Sequence, residues 1–106
     1  MFKIKTNPTF PATLTIVGQG VQQKLELVYR HRTKDEREGL LARLRDSDDD
    51  FSKRLRDVVL DVVESWDADA DLSAEGLDLL DQYQPGAVIA IWQGYFEALA
   101  VSRKGN

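Results

Sequence analysis

Residues 51–66 read FSKRLRDVVLDVVESW and carry the clearest periodic pattern in the chain. Their apolar residues follow the spacing i, i+3, i+4, i+7, i+8 and i+11, which is one continuous face of an α-helix. The members of this face are Leu55, Val58, Val59, Val62, Val63 and Trp66. The opposite face is charged. Because an apolar face of this length must be shielded from water, the pattern predicts a central helix that the rest of the chain covers.

Length and composition indicate one ordinary globular domain. We expect a single domain over residues 1–106, with a β-hairpin region at 1–31 and a helical region at 32–106. The formal net charge of −4 disfavours nucleic acid as a partner, since phosphate contacts need a basic surface. The absence of cysteine excludes disulfides and thiolate metal sites. Without an apolar run long enough for a signal peptide or a membrane span, we expect a cytoplasmic protein with no membrane partner.

The first third of the chain predicts β structure. Residues 2–5, FKIK, alternate apolar and basic side chains, which is typical of a short half-buried strand. Two prolines favour a turn or a sheet edge over residues 6–11. Strands are predicted at 12–17 and 21–31, joined by the turn signal Gly-Gln-Gly. The expected product is an antiparallel hairpin, in a sheet of two or three strands, whose apolar face docks on helices.

Three further helices are predicted. The capping box between Thr33 and Glu36 begins a helix over Lys34–Arg45, Ser73 caps a short helix over Ala74–Tyr83, and the last helix spans residues 85–102. Their predicted apolar positions are Leu40, Leu41, Leu44, Leu77, Leu80, Val88, Ile91, Trp92, Tyr95, Phe96 and Leu99. The expected fold class is α+β, with an N-terminal antiparallel β-hairpin, with or without a third strand, packed on a bundle of about four α-helices.

No residue pattern indicates an enzyme or a metal site. The acidic run at 67–71, DADAD, resembles an EF-hand loop, but Leu72 and Asp78 stand where that loop requires glycine and glutamate. The aspartates of residues 46–50 suit helix caps. His31 is the only histidine, so it has no second histidine or cysteine with which to share a metal. We therefore expect no catalytic residue, no metal and no cofactor.

Four aromatic residues lie at helical spacing on the two longest apolar stripes. They are Trp66, Trp92, Tyr95 and Phe96. Aromatic residues at such positions usually belong to a core. The alternative is a surface for a partner, because large aromatic and aliphatic side chains on two helices suit a helix-in-groove site. From the residues alone both interpretations stay open.

Two stretches of the chain carry a family resemblance. One is FKIKTNPTFPATLTIV at residues 2–17, and the other is VVESWDADADLSAEGLDLLDQYQPGAVIAIWQGYFEALAVSRKGN at residues 62–106. The second contains a valine-rich helix ending in tryptophan, an acidic loop, a short helix, a Pro-Gly-Ala break and a Lys-Gly-Asn end. In their order and spacing these features resemble the tail assembly chaperone family of long-tailed bacteriophages and prophages. Residues 32–50 match only in helical character.

The resemblance implies a non-enzymatic role in the bacterial host cell. Proteins of this kind bind the long, largely helical tape-measure protein during tail assembly, keep it soluble, help to recruit the tail-tube protein, and are absent from the finished particle. We therefore expect the tape-measure protein, and with it the tail-tube protein, as partners. The hypothesis for client binding is Trp66, Trp92, Tyr95 and Phe96. The alternative function is a structural or regulatory tail or neck component that stays in the virion.

Overall fold

A computed structural model describes residues 1–46 and 50–105; the helix caps predicted at Asp48 and Asp49 lie outside them. The elements follow in the order β1 (Thr9–Gly18), β2 (Val21–Arg30), α1 (Lys34–Arg45), α2 (Phe51–Val62), β3 (Val63–Trp66), α3 (Ala74–Tyr83) and α4 (Ala87–Leu99). In the described part of the chain, one face of a three-stranded antiparallel sheet packs on four helices. The predicted α+β class is therefore confirmed.

The hairpin of β1 and β2 is built by alternation and a tight turn. Leu25, Leu27 and Tyr29 point toward the helices and are buried, whereas their neighbours on the other face are more exposed. The turn has two residues with positive φ, Gln19 at 52° and Gly20 at 76°, as a type I′ hairpin requires. β1 begins earlier than predicted and includes a proline, which an edge strand tolerates.

The strand predicted at residues 2–5 is wrong. In the structure, regular pairing begins at Thr9, and residues 1–8 are exposed. The last hydrogen bond on this side of the hairpin joins the His31 amide to the Pro8 carbonyl at 2.8 Å. Alternation makes a segment suitable for a sheet, but a strand also needs a neighbouring backbone to pair with. We call residues 1–8 the N-terminal arm.

The third strand comes from the end of the predicted central helix. Helix α2 ends at Val62, and the chain passes directly into β3, which pairs antiparallel with β2 and places Trp66 opposite Leu27. The predicted helical turn over residues 63–66 is therefore wrong. β-Branched valine suits a strand at least as well as a helix, and β2 offers an unpaired edge there. Val63 nevertheless stays buried, so the apolar pattern is kept.

Helix α2 occupies the centre of the molecule, as its pattern predicts. It contacts the other three helices and strands β2 and β3. Val58, Val59 and Val62 are completely buried. The predicted apolar positions of the other helices divide into two groups. Buried are Leu40, Leu77, Val88, Ile91, Trp92 and Tyr95, and packed against the core but partly exposed are Leu41, Leu44, Leu80, Phe96 and Leu99.

Of the remaining helices, α1 and α3 have the predicted bounds, and α4 differs from prediction only at its ends. α1 starts with the predicted capping box, in which the Thr33 side chain accepts from the Glu36 amide and the Glu36 side chain accepts from the Thr33 amide. α3 has the predicted bounds, with Ser73 as its cap. α4 is shorter than predicted at both ends, and it follows Gly86, whose φ of 91° reverses the chain direction between α3 and α4.

Two glycines allow a matched test of this packing. A Cβ at Gly76, in the first turn of α3, would overlap the backbone carbonyl oxygen of Asp71, whereas a Cβ at Gly39, within α1, would meet open space. We expect Gly76→Ala to lower the free energy of unfolding by about 1–3 kcal/mol, since backbone must move. Gly39→Ala should raise it by about 0.5–1 kcal/mol, through helix propensity. Urea unfolding followed by circular dichroism measures both, and equal stability of the two variants would contradict the packing of α3.

Candidate functional site

The four aromatic candidates lie in three different environments. Tyr95 is completely buried and Trp92 is 5% exposed, so both belong to the core. Phe96 follows them on α4 and is partly exposed. Trp66 lies on β3, also partly exposed. The structure thus brings three of the candidates together on α4 and places the fourth at a different surface.

The aromatic residues of α4 form one cluster with those of the sheet. Tyr29 packs edge-on against Tyr95 with ring centroids 5.2 Å apart, and Phe10 lies 5.6 Å from Tyr29. Phe96 completes the cluster through edge contacts of 4.9 Å to Trp92 and 5.5 Å to Tyr95. Offset and edge-to-face pairs of this kind stabilise a core beyond the area they bury. Tyr95 therefore holds α4 against the hairpin, and Trp92 packs beside it on Tyr95 and Phe96 of the same helix.

Two tyrosine hydroxyls complete this attachment. The Tyr29 hydroxyl donates to the Ile91 carbonyl at 2.8 Å. The Tyr95 hydroxyl donates to the Arg30 carbonyl at 2.9 Å and accepts from the Arg32 amide at 3.0 Å. Burial raises the pKa of both tyrosines above the ordinary value of 10.0, because the charged phenolate would lose its hydration there. Both side chains act as neutral hydrogen-bonding links between β2 and α4.

A pocket lies at the C-terminal end of α4, and we call it the α4-end pocket. Its volume is about 410 Å³. It is lined by His31, Arg37, Phe96, Leu99, Ala100 and Val101. This pocket contains Phe96 from the predicted set, and its polar lining comes from basic residues.

A larger depression lies at the other end of the hairpin, and we call it the tip groove. Three adjoining cavities of about 360, 660 and 330 Å³ form it, and all three include Gln84, which follows α3. One wall is the end of the hairpin, and the other walls are α3, the start of α4 and the loop after β3. Its principal residues are Ile16, Val17, Val21, Trp66, Asp69, Leu79, Leu80, Tyr83, Gln84 and Ala87.

Exposed apolar side chains concentrate in the tip groove. Val17, Val21, Leu79 and Tyr83 line it, with exposed fractions between 49% and 78%. They are four of the nine large apolar side chains that are exposed in residues 1–46 and 50–105. Contiguous apolar surface at the lip of a depression is typical of a protein interaction site. The tip groove is therefore the better candidate for a binding surface.

The loop that follows β3 gives the groove a fixed wall. The Trp66 indole N–H donates to the Ala70 carbonyl at 2.7 Å. Asp67 exchanges two hydrogen bonds with Glu26 of β2, since its carboxylate accepts from the Glu26 amide at 2.9 Å and its amide donates to the Glu26 carbonyl at 3.1 Å. The acidic run therefore extends the attachment of β3 to the sheet and supports Trp66. Its remaining carboxylate in the groove belongs to Asp69.

Negative charge dominates the helical side of the tip groove. Between Asp57 and Ser102 the sequence contains ten acidic residues and neither lysine nor arginine. The loop after β3, α3 and α4 all come from this segment. The groove thus combines apolar contact surface with the carboxylates of Asp67 and Asp69 on the helical side and the ammonium group of Lys24 on the hairpin wall.

The sequence patterns did not identify the most exposed members of the groove. Leu77 and Leu80 define the core face of α3, and the predicted apolar stripe of this helix contained only these two residues. Leu79 and Tyr83 form a second apolar pair at i and i+4 on the polar side of the same helix. An apolar pair on an otherwise polar helix face is the sequence signal that could have predicted this part of the groove. The contribution of the hairpin end had no comparable signal, because it depends on how the sheet meets α4.

In residues 1–46 and 50–105, no group of three histidine, aspartate or glutamate side chains could hold a metal ion. None of the helices described over those ranges is long and apolar enough to cross a membrane.

The fold and the groove define a small α+β protein with an exposed apolar groove. A family model described as phage tail assembly chaperone matches residues 1–106. The chain therefore belongs to the phage tail assembly chaperone family. Neither a search of curated proteins nor a search of solved structures finds a match.

Two tyrosine-to-phenylalanine variants test the role assigned to the buried hydroxyl. Tyr95→Phe leaves the Arg30 carbonyl and the Arg32 amide without this partner, so we expect the free energy of unfolding to fall by about 1–2 kcal/mol. Tyr83→Phe removes an exposed hydroxyl and should change it by less than about 0.5 kcal/mol. Urea unfolding measures both changes. A Tyr95→Phe variant as stable as Tyr83→Phe would contradict the link between α4 and β2.

Proposed function

We propose that this protein binds the tape-measure protein during phage tail assembly and keeps it soluble, and that the tip groove is the surface that contacts this client. Membership of the tail assembly chaperone family supports the role. The observation that carries the choice of surface is the convergence of exposed apolar side chains on one groove. This role requires contact with another protein and no chemical reaction, so the proposed function is non-enzymatic.

The groove suits a long helical client. An amphipathic helix presents apolar anchors at i, i+3 or i+4 and i+7, and it binds through them to an apolar groove. Tyr83 and Leu79 supply exposed contact area on one side, and Val17 and Val21 supply it on the other. A client bound in this groove has its apolar stripe covered. Exposure of that stripe is what causes the free client to aggregate.

The carboxylates on the wall of the groove contribute to client binding in a second way. Carboxylates beside an apolar groove favour client segments that carry lysine or arginine next to their apolar anchors, and they speed the encounter at low salt. They also leave the complex with a charged exterior, which opposes association between complexes. Asp67 and Asp69 are exposed carboxylates that line the groove, and because Asp67 accepts from the Glu26 amide, Asp69 is the first residue we assign to this role.

The four aromatic candidates take different parts in the proposal. Trp66 contacts the client directly, because it is partly exposed and lines the groove. Tyr95 acts from the core by holding α4, which carries Ala87 into the groove wall, and buried Trp92 packs beside it on the same helix. Phe96 belongs to the α4-end pocket. That second surface is our candidate for the tail-tube protein, and we place the whole process in the cytoplasm of the host cell.

One pair of exposed residues discriminates between the two surfaces. Tyr83, in the tip groove, is 78% exposed, and Val101, in the α4-end pocket, is 97% exposed, so neither supports the fold. We expect Tyr83→Ser to weaken tape-measure binding at least about tenfold, since burial of an aromatic side chain is lost. Val101→Ser should leave it unchanged. Co-expression of each variant with the tape-measure protein, followed by pull-down and measurement of the soluble client, provides the comparison.

The outcomes separate the surface from the function. Loss of binding in Val101→Ser, with Tyr83→Ser unaffected, moves the client to the α4-end pocket and contradicts our choice of groove. A client that stays insoluble and unbound with the unaltered protein contradicts the chaperone activity itself. Unfolding curves of both variants should match that of the unaltered protein, because both side chains are exposed.

A further inference from the structure

Strand β1 is an edge of the sheet, and no strand within residues 1–46 and 50–105 pairs with its outer side. The His31 amide donates to the Pro8 carbonyl, and in an antiparallel pair only every second residue bonds across in this way. The even-numbered residues of β1 therefore bond to β2, and the odd-numbered residues direct their backbone N–H and C=O groups outward. The outward-facing residues are Thr9, Pro11, Thr13, Thr15 and Val17.

Pro11 divides this outer edge into two parts. Its nitrogen carries no hydrogen, and its ring takes the space of a neighbouring strand, so a paired ladder does not continue past it. Beyond Pro11, the exposed residues Thr13, Thr15 and Val17 each offer one outward N–H and one outward carbonyl. The whole strand contains no charged residue, although charged side chains are a common protection of a sheet edge. The part of the edge after Pro11 is therefore suited to a further strand.

The N-terminal arm of the same molecule does not pair with this part of the edge. To do so the arm would fold back on β1, and the shortest hairpin turn would use residues 6 and 7. Lys5 would then lie opposite Pro8, and Met1 would lie opposite Ala12. A longer turn would reach less far. Residues 13–17 stay open in every such arrangement, so their partner is a different strand.

A second copy of β1 complements the open edge in one register. Antiparallel pairing about a two-fold axis at Thr15 places the two Thr15 residues opposite each other, and Thr13 opposite Val17 of the second copy. This register forms about six backbone hydrogen bonds and leaves Pro11 beyond the ladder. An axis one or two residues nearer the start of β1 would bring Pro11 into the ladder, and an axis one residue further on would form fewer bonds. Pro11 thus selects the register.

The side chains suit this register on both faces of the sheet. On the exposed face, threonine meets threonine at the axis and threonine meets valine on either side, and such β-branched residues form favourable cross-strand pairs. On the helix face, Leu14 lies opposite Ile16 of the second copy. Both residues are only partly buried in one copy, so the contact removes apolar surface from water. The neutral strand also brings no like charges together.

We propose that two copies of this chain pair through the outer edges of their β1 strands, antiparallel about Thr15, and form one continuous six-stranded sheet. The strand order is then β3-β2-β1-β1-β2-β3, and the helices of both copies cover the same face. This contact does not rest on the proposed function, because it uses the backbone of β1 and not the apolar residues of α3. A helical client has no strand to offer this edge, whereas a second copy has a matching one.

Sedimentation equilibrium of the full chain over a concentration series tests the contact. We expect the mass to rise with concentration from 12.0 kDa toward twice that value. Thr15→Pro should weaken self-association at least about 100-fold, because a proline ring then stands at the centre of the ladder. Its hairpin should stay intact, since the Thr15 amide faces away from β2. An unaltered protein that stays monomeric at millimolar concentration overturns the proposal.

Thr9→Pro is the matched control for this variant. It makes the same change at another outward-facing position of β1, but one that lies on the far side of Pro11 and outside the proposed ladder. We expect Thr9→Pro to associate like the unaltered protein. If Thr9→Pro and Thr15→Pro associate equally well, another surface joins the copies and the proposal fails.

Single cysteines test the register in a chain that otherwise contains none. The two Thr15 residues lie opposite each other with an expected Cα separation of about 5.5 Å, within the range of a disulfide. Thr15→Cys, treated with oxidised glutathione, should therefore give a covalent dimer on a non-reducing gel. The two Thr13 residues are offset by about 13 Å along the strands, so Thr13→Cys should link only to Val17→Cys in a mixture. Dimers of Thr13→Cys alone that form as readily as those of Thr15→Cys would contradict the register and the proposal.

Discussion

The attachment of helix α4 to strand β2 positions both the tip groove and the α4-end pocket. Tyr29 and Tyr95 donate hydrogen bonds in opposite directions across this interface, from β2 to the Ile91 carbonyl and from α4 to the Arg30 carbonyl. Gly94 permits the close approach, since a Cβ there would lie 2.7 Å from the Leu14 side chain. With α4 fixed in this way, its first turn reaches the end of the hairpin and closes the tip groove.

A second constraint connects the sheet to the centre of the helical region. α2 continues into β3 without an intervening loop, and arginines from β2 and the residues after it bind the end of α2. Arg30 donates to the Leu60 and Asp61 carbonyls, and Arg32 pairs with the Asp61 carboxylate at 2.7 Å. Cations at a helix C-terminus satisfy carbonyls that have no partner within the helix. Helix α2 therefore ends at the point where the chain can pair with β2 as strand β3.

Much of this fold followed from the sequence, because local signals and the final packing agree. Local residues alone determine three of the predicted features: the capping box at Thr33, the hairpin turn and the bounds of α3. The predictions were wrong for segments whose structure depends on contacts with residues that are distant in the sequence. Residues 63–66 fit both a helical stripe and a strand, and the open edge of β2 selects the strand. Residues 2–5 alternate like a strand, but no strand within residues 1–46 and 50–105 pairs with them. Tyr83 was missed because exposure at a groove is a property of the assembled fold.

The most direct test of the tip groove is hydrogen–deuterium exchange of the protein, free and bound to the tape-measure protein, at a concentration where the free chain is monomeric. The account predicts that bound client slows amide exchange at the hairpin turn and through α3 into the first turn of α4, while α1 exchanges as in the free protein. Slower exchange confined to the end of α4 and the residues after it, with the hairpin turn and α3 unchanged, would contradict the account.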